Sequence, residues 1–233
     1  MSPAIRSKSA LAVVLSRLEV FYRPKVSAEQ YPTDSEIAAE VLWSAFMRGD
    51  IENKVIADLG CGTGILGLGA LLLGAGKVLF IDIDENALEI VENNIAFMKS
   101  EGYLDKSIAE NRDYAIICKD ISEDDALIDE DNRKESKSEQ DFINTVIQNP
   151  PFGTRKEHID RIFLSKALMS APVVYSFHKT STDKFIKAFC RDEKVSISDV
   201  MRFHFPLKNT YEHHRKRIKR IEVSCYRLEK PKK

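Results

Sequence analysis

Apolar positions Leu11, Val14, Leu15, Leu18 and Phe21 recur at three- and four-residue intervals, so the pattern predicts an amphipathic helix across residues 1–22. A loop containing Pro24 and Pro32 follows. Thr33-Asp34-Ser35-Glu36 then reads as a capping box that opens a helix running to about Phe46. From Val55 onward, short apolar runs alternate with helical patterns. Strands are predicted at Val55–Leu59, Val78–Asp82, Tyr114–Cys118, Ile143–Ile147 and Val173–Phe177, with two further strands at Val195–Phe205 and Ile221–Leu228. Helices are predicted after Gly64, over Glu85–Lys99, around Arg161–Met169 and over Thr182–Cys190. Repeated βα units of this kind predict an α/β fold: a doubly wound, mostly parallel, seven-stranded sheet behind an N-terminal helical extension. No internal repeat is visible.

One stretch breaks the alternation. Residues 123–141 hold nine acids against three bases and almost no large apolar side chains, which predicts a solvated, mobile insertion between the third and fourth strands, with no catalytic role.

The composition narrows the class without naming a chemistry. At 233 residues, with 43% hydrophobic and 30% charged residues, the chain suits one large domain with an ample core. A formal net charge of -1 supplies no global attraction to nucleic acid, so any such binding must come from a local patch. Cys61, Cys118, Cys190 and Cys225 are scattered without a close pair, which argues against a zinc site or disulfide framework and for a reducing compartment. No membrane-length apolar run occurs, and the run Leu11–Leu15 is too short for a signal-peptide core, so a cytoplasmic location is expected.

The chemistry concentrates at the ends of predicted strands. Asn149-Pro150-Pro151-Phe152 follows the apolar pair Val146-Ile147. Such a turn suits methylation of an exocyclic or amide nitrogen, whose lone pair is delocalised into a ring or carbonyl. The Asn149 side-chain oxygen and the Pro150 carbonyl can accept from its N–H groups, two prolines fix φ, and Phe152 can stack on the base. The first strand ends in Asp58-Leu59-Gly60-Cys61-Gly62-Thr63-Gly64, where glycines let the backbone turn sharply toward a ligand at a helix N-terminus. Read from Gly62, the same glycines fit a dinucleotide pattern with Asp82 twenty residues on, so spacing alone does not separate a nicotinamide from S-adenosylmethionine, SAM. Three features favour SAM. Asp58 would repel a pyrophosphate but help hold a cationic methionine end; Asp120 can accept from an adenine amino group; and the Asn-Pro-Pro-Phe turn completes the site.

Together Asp58 to Gly64, Phe80-Ile81-Asp82-Ile83-Asp84 and Asn149 to Phe152 resemble the class I, Rossmann-like SAM-dependent N-methyltransferases. More narrowly, Glu29-Gln30-Tyr31-Pro32-Thr33, Asp50-Ile51-Glu52-Asn53-Lys54, Asn149-Pro150-Pro151-Phe152-Gly153-Thr154 and Tyr175-Ser176-Phe177-His178-Lys179 resemble the archaeal and eukaryotic enzymes that make N6-methyladenosine in small-subunit ribosomal RNA. The resemblance implies that Gln30 and Thr33 close over the cofactor, and that Gly60, Thr63 and Ile65 line its methionine and ribose portions. It implies that Asp82 holds the ribose hydroxyls and Asp120 the adenine; Gly62, within the glycine loop, is a further cofactor-binding candidate. It divides the chain into N-terminal helices with a cofactor-closing loop (1–48) and a methyltransferase region (49–233), expected to form one structural domain. Eukaryotic members of the group use a small zinc-binding activator, which makes such a partner an expectation here; no metal site is expected in the chain itself.

The expected reaction is in-line methyl transfer to an unstacked adenine held by Asn149, Pro150, Pro151 and Phe152. For RNA contact the candidates are His178 and Lys179 at a strand end and the basic run Arg215, Lys216, Arg217 and Lys219. Cys61 has no neighbour that would activate a thiolate. Three other readings compete: methylation of a protein glutamine amide or DNA adenine, a non-catalytic SAM-binding partner subunit, and a nicotinamide-dependent reductase.

Overall fold

The computed structural model describes residues 5–21, 33–123, 142–151, 159–207 and 219–231. In chain order the helices are α1 (Lys8–Leu15), α2 (Ser35–Met47), α3 (Ile65–Leu72), α4 (Glu85–Ser100), α5 (Ile159–Ser170) and α6 (Asp183–Asp192). The strands are β1 (Val55–Leu59), β2 (Lys77–Asp82), β3 (Tyr114–Cys118), β4 (Thr145–Gln148), β5 (Val173–Lys179), β6 (Ser196–Leu207) and β7 (Lys219–Glu229). They form one seven-stranded sheet in the order β3-β2-β1-β4-β5-β7-β6, parallel except for β7, which runs antiparallel to both its neighbours. The expected α/β class and mostly parallel sheet are therefore observed.

Two packed faces cover the sheet. On one, α1, α2, α3 and α4 bury Ile56, Phe80, Ile147, Tyr175 and Phe177; on the other, α5 and α6 bury Ala57, Ile81, Val146, Val174 and Tyr226. Successive residues of each strand supply alternate faces, so β1 and β4 are buried on both sides and read as continuous apolar runs. Strand order reverses between β1 and β4, and Leu59 stands level with Gln148 there. Open α/β sheets bind ligands at such a reversal, outside the carboxyl ends of the strands.

Two local expectations need correction. The first helix ends at Leu15, with Ser16 as its C-cap, because the chain turns so that Glu19 can pair with Asn94. The cap of α2 is Asp34, not Thr33: Asp34 Oδ1 accepts from the Glu36 and Ile37 N–H groups at 3.0 and 3.3 Å, which leaves the Thr33 hydroxyl for another partner. The 123–141 insertion lies, from residue 124 on, outside the described residues.

Far from the strand reversal, the amino ends of β4 and β5 are fastened by a buried ion pair. Arg227 on β7 grips both oxygens of Asp50 at 2.8 and 3.1 Å, and Tyr175 donates to Asp50 at 2.6 Å. Thr145 Oγ1 donates to the Asp50 carbonyl. Among the described residues, no helix is long and apolar enough to cross a membrane.

Candidate active site

The loop after β1 is held by its own neighbours. Gly60 and Gly64 lie at φ +65° and +83°, in the left-handed region where a side chain would be strained. The Gly60 and Cys61 N–H groups donate to the Ile81 carbonyl, and Gly64 N–H closes a turn onto the Cys61 carbonyl at 2.8 Å. A Cβ on Gly67 would strike Phe80, so only glycine lets α3 sit this close to β2.

Acidic side chains then pin that loop. Asp82 Oδ2 accepts from Gly62 N–H at 2.8 Å and Oδ1 from Asp84 N–H at 3.0 Å. Burial, partly offset by these backbone bonds, raises its pKa. Each oxygen keeps a lone pair spare, and the carboxylate is half-buried at the rim. Asp84, by contrast, caps α4. Asp120 takes the Ser122 N–H and hydroxyl at 2.7 and 2.6 Å in an Asx turn after β3.

Asp58 departs from expectation. It faces α3, is 1% exposed, and accepts from Gly67 N–H at 2.8 Å. Burial pushes its pKa up to about 7. Its place is beneath the loop, bracing the first turn of α3, and not at the ligand surface. Cys61 is buried as well, and burial with nearby Asp58 and Asp82 drives its thiol upward, which leaves no thiolate there.

Across the reversal, the turn after β4 is built differently. Asn149 Nδ2 donates to Thr33 Oγ1 at 3.0 Å, while Asn149 Oδ1 is buried with no hydrogen-bond donor among the described residues. Thr33 is itself only 7% exposed. Pro150 is buried, Pro151 half-buried, and Phe152 lies outside the described residues. Gln148 points to the opposite face. Its Nε2 donates to Ser176 Oγ at 2.9 Å, Ser176 Oγ meets His178 Nε2 at 2.7 Å, and Gln148 Oε1 is a second buried acceptor without a donor among the described residues.

His178 also departs from expectation. It is 2% exposed and burial pushes its pKa down to about 3, so it is a neutral interior residue with no route to a phosphate in this conformation. Alternation puts it on the same buried face as Val174 and Ser176. Lys179 ends β5 half-exposed. Gln30, Arg215, Lys216 and Arg217 lie outside the described residues, as does the side chain of Lys219.

Sequence reasoning missed Asn94. On α4 it accepts from Glu19 N–H at 2.7 Å and donates to the carbonyls of Glu19 and Thr63 at 3.1 and 3.2 Å. The available signal was its spacing: Ala87, Leu88, Val91, Ile95 and Met98 form the buried face of α4, and Asn94 falls on it.

A family model for PrmA, the ribosomal protein L11 methyltransferase, matches residues 43–121, which takes in the glycine loop, Asp82 and Asp120 but stops before Asn149. The chain is 34% identical over 217 residues to the rRNA N6-adenosine-methyltransferase METTL5 of the zebrafish Danio rerio, covering 92% of this chain and 94% of that one. It belongs to the METTL5 family of methyltransferases. An uncharacterised Methanocaldococcus jannaschii protein, MJ0284, is also 34% identical, over 96% of this chain and 94% of its own. Among solved structures, the Pyrococcus horikoshii protein PH1948, described as a candidate RNA methyltransferase, superposes with a TM-score of 0.77 at 36% identity, covering 97% of this chain and 98% of that one.

Membership fixes the cofactor of this family member as SAM. The residues present fit it: a left-handed glycine loop opening α3, and a rim carboxylate at Asp82 with acceptor capacity to spare. On the other side of the reversal, at the end of β4, lies the Asn149 oxygen, buried without a donor among the described residues.

Proposed function

We propose that the chain transfers a methyl group from SAM to N6 of an adenosine in small-subunit ribosomal RNA. The observation that carries this reading is the Asn149 carboxamide, whose nitrogen is tied to Thr33 and whose oxygen is buried without a donor among the described residues. A buried acceptor left unpaired costs about 1–3 kcal/mol, and an incoming amino group relieves that cost by donating to it. The name carried by the zebrafish relative, an rRNA N6-adenosine-methyltransferase, supports adenosine as the acceptor.

The amino group of adenine is a weak nucleophile because its lone pair is delocalised into the ring. Asn149 Oδ1 and the Pro150 carbonyl accept its two hydrogens, which restores electron density to nitrogen as positive charge develops there. Pro150 and Pro151 keep those acceptors fixed, and Phe152 offers a flat face for the base, worth about 1–3 kcal/mol of stacking. When bound, SAM supplies an electrophilic methyl carried on a sulfonium. The ammonium-like product loses its proton to water, so this chain needs no strong base and positioning carries most of the rate.

On the cofactor side, the roles assigned are Gln30 and Thr33 for closure, Gly60, Gly62, Thr63 and Ile65 for the methionine and ribose portions, Asp82 for the ribose hydroxyls and Asp120 for adenine. Asp58 holds the loop that these residues form. Arg215, Lys216, Arg217 and Lys219, together with Lys179, are assigned to RNA phosphates. Residues 1–48 and 49–233 work as one structural unit, located in the cytoplasm. A small zinc-binding activator is the expected protein partner.

The match to the L11 methyltransferase model ends at residue 121, ahead of the acceptor turn, so it does not favour a protein acceptor. The test is nucleoside mass spectrometry on small-subunit rRNA incubated with the protein and labelled SAM, with Asn149→Ala alongside. Labelled N6-methyladenosine from the wild type alone is expected. Label in protein glutamine or in DNA adenine, with none in rRNA, would overturn the reading.

A further inference from the structure

α4 packs Ala87, Leu88, Val91, Ile95 and Met98 into the core, and position 94, within that face, holds an amide where an aliphatic side chain would pack without polar cost. Asn94 is 1% exposed, and both its N–H donors and its oxygen are engaged. Oδ1 accepts from Glu19 N–H, one Nδ2 hydrogen goes to the Glu19 carbonyl, and the other goes to the Thr63 carbonyl. All three partners are backbone groups with fixed roles, so the amide has one orientation. Turned over, it would set N–H against N–H and carbonyl oxygen against two carbonyl oxygens.

The amide thus pairs with Glu19 as an adjacent strand would, and uses its remaining proton on the centre of the glycine loop. That loop has little rigidity of its own, since Thr63 lies between Gly62 and Gly64 at φ +53° and +83°. Two residues past Glu19, the ring of Phe21 comes within 3.7 Å of where a Cβ on Gly62 would stand. One buried side chain therefore fastens the N-terminal extension and the glycine loop to each other and to α4. No step of methyl transfer uses it.

We propose that Asn94 is a positioning residue for the cofactor loop, acting through the Thr63 carbonyl and seating Glu19–Phe21 as the wall of that loop. The proposal rests on the assignment of this loop to SAM.

The test uses the full chain with Asn94→Leu, which keeps an apolar fit on α4, and Asn94→Asp, which keeps the acceptor for Glu19 N–H and loses both donors. Cofactor affinity is measured by titration calorimetry with SAM, folding by thermal melting, and loop order by hydrogen exchange at residues 60–64. The wild-type Gly62 and Gly64 amides are held by Asp82 and Cys61. Expected in a folded variant are an approximately tenfold weaker SAM dissociation constant and faster exchange in the loop, with turnover at saturating SAM near wild type. A residue that served stability alone would lower the melting temperature and the active fraction while leaving affinity per folded molecule unchanged. Unchanged affinity and exchange in either folded variant would overturn the proposal, and so would failure of both variants to fold. If the wild type does not bind SAM at all, the cofactor assignment is what fails, and the exchange measurement still reports on the clamp.

Discussion

The two rims of the strand reversal are finished in opposite ways. On the β1–β2–β3 side, each acid near the loop has a partner within the protein: Asp58 holds Gly67, Asp82 holds Gly62 and Asp84, and Asp120 holds Ser122. On the β4 side, Asn149 and Gln148 each hold one end of the carboxamide and leave the buried oxygen without a donor among the described residues. The first rim is pre-formed: its polar groups fix loop shape without a ligand. The second retains an unmet hydrogen-bonding demand that a ligand can meet. Under the proposed function, the first rim is the side that binds and the second the side that acts.

The largest expected effect breaks the second rim. Asn149→Ala should lower turnover by about 10²- to 10³-fold, the scale of losing one preorganised group at a developing charge, while SAM affinity measured by calorimetry stays at the wild-type value. Parallel loss of SAM affinity would place Asn149 on the binding side and erase the contrast. Next comes the first rim. Asp82→Ala frees the Gly62 and Asp84 N–H groups, and SAM affinity should weaken by roughly tenfold to a hundredfold as charge-assisted bonds are lost. Turnover at saturating SAM should fall far less.

Thr33 sharpens the comparison because its hydroxyl touches the acting rim although it was expected on the binding one. Thr33→Val removes the anchor of Asn149 Nδ2 and should cost about tenfold in turnover, with Thr33→Ser restoring it. A change confined to SAM affinity would return Thr33 to cofactor closure alone.

The smallest effect is a pH slope. Asp58 has its pKa raised to about 7 by burial, from an ordinary 3.8, so the folded state binds more protons than the unfolded one between those values. Its contribution therefore destabilises the fold progressively as pH rises from about 4 to 7 and is level above that. Asp58→Asn keeps an acceptor for Gly67 N–H and removes the titration. Melting temperature should then decline less steeply over that range than in the wild type, with SAM affinity at pH 8 retained.

What the sequence made legible was periodic or contiguous. Strand spacing gave β1 to β5 within a residue or two, because a buried parallel strand is a short apolar run whatever it pairs with. The glycine loop and the Asn-Pro-Pro-Phe turn were legible because each motif is a single stretch of chain. What stayed hidden joins remote positions. Thr33 and Asn149 are 116 residues apart and Arg227 and Asp50 are 177 apart, and neither pair leaves a local mark. His178, polar and near a strand end, suits RNA contact on local sequence alone. The period of two that it shares with Val174 and Ser176 puts it inside. Asn94 was hidden for the converse reason: a polar residue on an apolar helix face reads as noise until its three backbone partners are seen.

β7 comes after β6 in the sequence yet occupies the slot between β5 and β6. During synthesis the open edge of β5 must therefore wait for residues 219–229 to emerge, and Asp50 and Tyr175 wait with it for Arg227. Until then a nascent chain exposes an unpaired strand edge and an acid without its counter-charge, the kind of surface that chaperones shield. Closure of the sheet is thus a late, long-range event, and emergence of β7, not completion of the glycine loop, sets when the sheet can first be completed.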